Sequence, residues 1–286
     1  MTSTNEIEVA VAAGAALGEG PTWDPAGGRL LWVDILACEV HAYDPVTGAD
    51  TVLRATPQHV GAAKPRAGGG LAVNLRDGVG LYDPDGSFRW LAEYPEEGVR
   101  GNDAAVGPDG ALWAGTMRYD TRPGGGRLRR VQPGGGTAVI LDDVTISNGL
   151  GWSPDGLLMY YIDTPTGRID VFDVEPGTFL PTGRRPFAEV PEPGEPDGLT
   201  VDADGNLWVA VWGGGRVLRF TPDGALDGTV EVPVPLTTAC AFGGPDLRDL
   251  YITTASQGVP PGTPDAGALF VVRDAGRGAA SPAFPG

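Results

Sequence analysis

Four polar residues recur at one place in a repeated phrase of this chain. Asp197 stands near the start of EPDGLTVDADGNLWVAVW (195–212), eight residues ahead of the turn glycine Gly205. Glu19 stands eight before Gly27 in GEGPTWDPAGGRLLWVD, Asn102 eight before Gly110 in GNDAAVGPDGALWAG, and Asn148 eight before Gly156 in SNGLGWSPDGLLMYYID. Two carboxylates and two carboxamides make an all-oxygen set of net charge −2. Such a set suits one hard divalent cation, Ca2+ ahead of Mg2+ or Mn2+. His41 and His59 are the only histidines and no thiolate joins the set, which disfavours a structural zinc centre. Zn2+ in an oxygen-rich catalytic site stays open. A strand-start cap bonding nearby backbone would explain any one of the four, but their common offset favours the metal. Arg100, two residues before Asn102, reaches the same place. A guanidinium there can hold a carbonyl oxygen or a developing oxyanion, a surface salt bridge being the alternative.

The elements that must position these residues are β-hairpins. In the 195–212 stretch two β-prone apolar runs flank an Asp-Gly reversal. Two weaker copies complete the set. GGLAVNLRDGVGLYD (69–83) puts Gly70 eight before Gly78, and TTACAFGGPDLRDLYIT (237–253) puts Cys240 there if Arg248 takes the place of the turn glycine. Six copies, 32 to 51 residues apart and with little helical periodicity between them, predict an all-β, six-bladed β-propeller spanning 1–286 as one domain. In such a ring the innermost strands line a central channel. Residues just ahead of them converge at one mouth, so Glu19, Asn102, Asn148 and Asp197 are expected to face one another.

Taken in order, residues 5–16 read as a strand that completes the last blade and closes the ring. Repeat one continues through LLWVD (30–34) to VHAYDP (40–45), with His41 a half-buried strand histidine. His59 falls in a loop, 56–66. Repeat two is read from the glycines at 68–70, repeat three from VRGND (99–103), with an irregular loop over 118–130 that could fold over the end of the ring. The tail, 273–286, is poor in apolar residues and expected to fray.

Composition excludes several classes. Apolar residues at 41% supply a core, and 46 glycines with 27 prolines suit many turns. A formal charge of −17 repels nucleic acid and anionic membrane. Cys38 and Cys240 fall in the first and last repeats, which a closed ring makes neighbours, so a bridge between them stays open. The apolar run 9–18 lacks a preceding basic residue and is too short to span a membrane, so a cytoplasmic protein is expected. GWSPD (151–155) lacks the second glycine of a nucleophile elbow, and the GGG runs are loop glycines rather than a phosphate cradle.

GEGPTWD, VGAAKPRAGGGL, RGNDAAVGPDGALWAGTM, SNGLGWSPDG, PDGLTVDADGNLWVA and CAFGGPDLRDLYITTA, in that order from Glu19 to Ala255, resemble the SMP-30/gluconolactonase/LRE family. The resemblance implies a six-bladed propeller with one divalent metal in its channel and, in most members, sugar-lactone hydrolysis. It implies Glu19, Asn148 and Asp197 as metal ligands and Arg100 and Asn102 as substrate contacts, Asn102 also ligating the metal in phosphotriesterase relatives. Some lactonases hold sugar hydroxyls with a glutamate shortly after GTM; here Asp120, in Arg118-Tyr119-Asp120, stands in for it.

The expected chemistry is opening of a small-molecule lactone, with the cation polarising the carbonyl and acidifying a water. Asp197 is the expected general base, and Arg100 the oxyanion partner. A phosphotriesterase or a specialised-metabolite tailoring enzyme on the same site, and a non-catalytic metal-binding propeller, are the alternatives.

Overall fold

The computed structural model describes residues 6–286. Among them, 24 strands form six four-stranded antiparallel sheets, the six blades of a β-propeller. In five blades the chain runs outward through four consecutive strands, as successive hairpins dictate. The innermost strands, blades one to six, are Gly18–Asp24, Val60–Pro65, Val99–Val106, Ser147–Trp152, Glu195–Val201 and Thr237–Gly243. Blade six is completed by Ile7–Val11, paired antiparallel with Leu269–Val272. The expected closure by the N-terminal strand is therefore present, with residue 5 outside the described residues.

Burial follows from this layering. The inner strands of blades one and six are buried along their whole length, whereas the outermost strand of blade three, Thr137–Val144, is largely exposed. The core is a ring of six wedges, each shared by neighbouring blades. Trp23, Trp32, Tyr43, Tyr251 and Leu269 fill the wedge between blades six and one. Trp208, Phe242 and Phe270 fill the one between five and six. Each large apolar side chain so buried contributes roughly 1.5–3 kcal/mol, so the ring is closed by packing as well as by strand pairing.

All six inner strands break register at one level. The breaks fall between Glu19 and Thr22, Val60 and Ala62, Gly101 and Ala104, Ser147 and Leu150, Pro196 and Leu199, and Thr237 and Ala239. Such a bulge leaves residues unpaired and re-aims their side chains. The candidate residues thus lie inside the strands rather than ahead of them, Asn102, Asn148 and Asp197 within the unpaired stretches and Glu19, paired with Val33, at the edge of one. Pro65, Val106, Trp152 and Val201 pair at the far ends of these strands, and Trp23 and Phe242 one residue short of theirs. Four positions back from each stand Glu19, Gly61, Asn102, Asn148, Asp197 and Thr238.

This register corrects two expectations. Blade two begins at Val60, not at the glycines 68–70, so Gly61 and not Gly70 holds the equivalent place. A Cβ on Gly61 would lie 2.3 Å from the Asn102 carbonyl oxygen, so only glycine fits there. In blade six the place belongs to Thr238. Cys240 instead faces the wedge between blades five and six, its Sγ donating to the Trp208 carbonyl at 3.4 Å. In blade one the left-handed turn residue is Gly28 (φ 62°), not Gly27.

Four further expectations meet the structure. The tail does not fray at its anchor points. The Gly278 amide donates to Leu247 O, the Ala203 amide to Arg277 O and the Phe284 amide to Pro65 O. Phe284 is fully buried between blades two and three. Sparse apolar content misled here, because one well-placed aromatic suffices to dock the segment. The loop expected over 118–130 is shorter, since Gly126–Val131 is the third strand of blade three. Cys38 and Cys240 are free thiols. His41 is half-buried as expected, stacked on Trp32 at 4.0 Å with its Nδ1 2.7 Å from Asp50 Oδ2. No helix among the described residues is long and apolar enough to cross a membrane.

Candidate active site

The bulges bring the four polar residues of the repeated phrase onto the channel wall, where all are buried. Two of them, Asn102 and Asn148, are linked from blade three to blade four. Asn102 Nδ2 donates to Asn148 Oδ1 at 2.9 Å and to Ser147 O at 3.0 Å. Asn148 Nδ2 donates to Thr164 Oγ1 at 2.8 Å, which fixes the direction of the Asn148 carbonyl. Arg100 Nη1 donates to Asn102 Oδ1 at 2.7 Å and to Gly101 O at 2.9 Å. The Thr238 hydroxyl is turned into the structure, donating to Gly18 O at 2.6 Å. Glu19 Oε2 accepts from the Gly20 amide at 3.0 Å. Asp197 Oδ1 is buried and accepts no hydrogen bond among the described residues.

An orphaned buried carboxylate oxygen carries a full desolvation penalty unless something positive meets it. Burial pushes the Asp197 carboxyl well above its ordinary value, and Glu19 and Asp103 push it further. Burial, then Asp103, raises Glu19 to about 8, against the pull of the Gly20 amide, Arg100 and Lys64. These two buried acids lie in each other's neighbourhood, with the Arg100 guanidinium a positive charge acting on Asp197. No cluster of three or more His, Cys, Asp or Glu suited to a metal occurs among the described residues. The donor set is instead mixed, two carboxylates with carboxamide oxygen, and it fits a hard divalent cation.

Arg100 is buried in the field of Glu19, Tyr119 and Asp197. Asn102, expected as both substrate contact and ligand, spends its carbonyl on Arg100 and its amide on Asn148. Asp120 lies at the exposed rim, its two oxygens taken by Arg118 and Arg122 at 2.8 Å each. Beside it, Tyr119 Oη lies 2.8 Å from His59 Nδ1, joining blades two and three. Burial and the Arg100 and Arg76 charges hold His59 below its ordinary value.

Sequence reasoning missed Asp103, Thr164, Lys64, Tyr119 and His59 as parts of this neighbourhood. Asp103 had a signal, its place beside Asn102 within RGND. Thr164, in the turn Thr164–Thr166, reaches the site only through the ring geometry and carried none.

The fold and the buried oxygen set define a six-bladed propeller with one channel-wall site. The SMP-30/Gluconolactonase/LRE-like region model matches residues 17–256, and the chain belongs to that family. Among its relatives, the pentonolactonase of Haloferax volcanii is 39% identical over 256 residues, 89% of this chain and 86% of its own. The 6-deoxy-6-sulfogluconolactonase of Pseudomonas putida is 38% identical over 283 residues, 95% and 96%. The crystal structure of regucalcin from Agrobacterium tumefaciens, described as a calcium-binding protein, superposes with a TM-score of 0.92 at 33% identity, covering 96% of each chain.

Proposed function

We propose that this chain hydrolyses a lactone, with a polyhydroxylated sugar lactone as the substrate class, and that one divalent cation, Ca2+ first, is held by Glu19, Asn148 and Asp197. The observation that carries the reading is the buried, unpartnered Asp197 Oδ1 on the same channel wall as Glu19 and Arg100. Kinship with the named lactonases supports the reaction class. The calcium-binding relative supports the ion.

A cation bound there supplies Lewis acidity toward a carbonyl oxygen and lowers the pKa of water. The chain's own residues do the rest. Asp197 accepts the proton of the attacking water as its oxygen bonds to the lactone carbonyl carbon. Arg100, held by Gly101 O and Asn102 Oδ1, presents fixed N–H donors to the oxygen on which charge develops. The ring C–O bond then breaks, the ring oxygen takes the proton back from Asp197, and a hydroxy acid leaves, releasing its carboxyl proton to solvent. Asn102 holds the Asn148 carbonyl in line. At the rim, the hydrogen-bonded Tyr119 and His59 offer polar groups to substrate hydroxyls, and Asp120 acts there as part of its arginine cluster.

A panel of aldonolactones and organophosphates, read by acid release after chelation and re-addition of Ca2+, Mn2+, Zn2+ or Mg2+, tests this. Cation-dependent acid release from aldonolactones is expected. Turnover of organophosphates alone would replace lactone with phosphotriester chemistry. Turnover of neither, with cation binding intact, would leave a non-catalytic propeller.

A further inference from the structure

Lys64 is the only lysine in a chain with 37 acidic residues, and it is not at the surface. It sits on the inner strand of blade two with 8% of its surface exposed. Its Nζ donates to Thr22 Oγ1 at 2.7 Å, and Thr22 Oγ1 donates in turn to Gly20 O at 3.2 Å. The ammonium is thereby tied to the blade-one bulge beside Glu19. It forms no direct ion pair among the described residues. Instead, it shares with Asp103 the wall of a chamber of about 340 Å3 on the tail side of the site, where Thr22 and Trp152 also line the wall and Ser281 belongs to the tail crossing it. Burial pulls the ammonium below its ordinary range, and the Asp103 and Glu19 carboxylates pull it back up.

We propose that Lys64 is a built-in counter-charge for the candidate cation site, steadying the cation-free protein and weakening its hold on the divalent cation. The inference rests on the cation reading above. The buried Glu19 and Asp197 and the half-buried Asp103 set three carboxyl groups against the single Arg100 guanidinium, and with all three ionised around a bound divalent cation the charges would balance. Lys64 leaves the loaded site with one positive charge in excess, so the cation is held less tightly and negative charge on a substrate oxygen is favoured. In the cation-free protein the same charge offsets whatever negative charge Asp103 and Glu19 carry. Blade two has no side chain at its ring position, Gly61, and contributes this charge from below instead.

Lys64→Gln keeps a donor for Thr22 but removes the charge; Lys64→Met removes both; Lys64→Arg keeps the charge. Calorimetric Ca2+ titration and thermal melting in chelator separate the roles. Both neutral variants are expected to bind Ca2+ on the order of tenfold more tightly than wild type. Both are expected to melt at lower temperature without the cation, while Lys64→Arg keeps wild-type affinity. If Lys64→Gln binds as wild type and Lys64→Met more weakly, the residue is a hydrogen-bonding prop and the inference is overturned. Should wild type bind no divalent cation, the cation reading falls and this inference with it. Normal binding by wild type with unchanged or weaker variants overturns the inference alone.

Discussion

Asn102 Nδ2 and Asn148 Oδ1, 46 residues apart in the chain, meet at 2.9 Å across the gap between blades three and four. The contact orients the Asn148 carbonyl from one side, as Thr164 does from the other. Asn102→Ala removes that donor together with the Arg100 acceptor. Calcium affinity is expected to fall about 10–100-fold, the usual consequence of losing a group that aims a ligand. Calorimetry would show it; unchanged affinity would mean Asn148 needs no such support.

Arg100 combines charge with fixed direction. Arg100→Lys keeps the charge but loses the planar fork. Turnover is expected to fall about 10²–10³-fold, as when an oxyanion donor is removed, with KM changing far less. Steady-state kinetics on the best lactone of the panel decides it. A change confined to KM would place Arg100 in ground-state binding.

The cation-free protein should lose stability as pH rises. Burial and Asp103 lift Glu19 from 4.5 to about 8, and Asp197 moves the same way. A carboxyl whose folded value lies above its unfolded value binds a proton that the unfolded chain has released. Its contribution is complete below about 4.5 and is lost as pH climbs through about 8. Calcium affinity should rise over the same window, because protons and the cation compete. Melting in chelator at pH 5.5 and 8.5 should show the fall, and saturating Ca2+ should abolish it.

Phe284 tests the docked tail. It is fully buried among residues of blades two and three. Phe284→Ala should lower stability by about 3–5 kcal/mol, the range for deleting a buried aromatic. Denaturant unfolding measures it. A change under about 1 kcal/mol would show that the site collapses without penalty, which buried aromatics seldom allow.

The parts of this molecule that could be read from the chain are those whose cause is local. Asp-Gly turns between apolar runs announce hairpins because positive φ is a property of single residues, and Gly110, Gly156 and Gly205 adopt it at 75°, 72° and 86°. The common offset of Asn102, Asn148 and Asp197 survived because each bulge sits at a fixed distance from its turn. Blade two escaped this reading. Its ring position must be glycine to clear the Asn102 carbonyl, so crowding between blades erased the polar marker there. Thr238 escaped because the blade-six turn lacks the glycine that set the count. Asp103 and Lys64 join the site only once the ring closes, and Phe284 docks on a surface made by two blades. Effects that depend on closure leave no periodic trace in one strand.

The central claim is that the bulge residues gather around one ion, and anomalous diffraction from crystals soaked in Mn2+ tests it directly. A single peak within coordinating distance of Glu19, Asn148 and Asp197 is expected, lost in Asp197→Ala. A map with no peak on the channel wall, or a peak that persists unchanged in that variant, would contradict it.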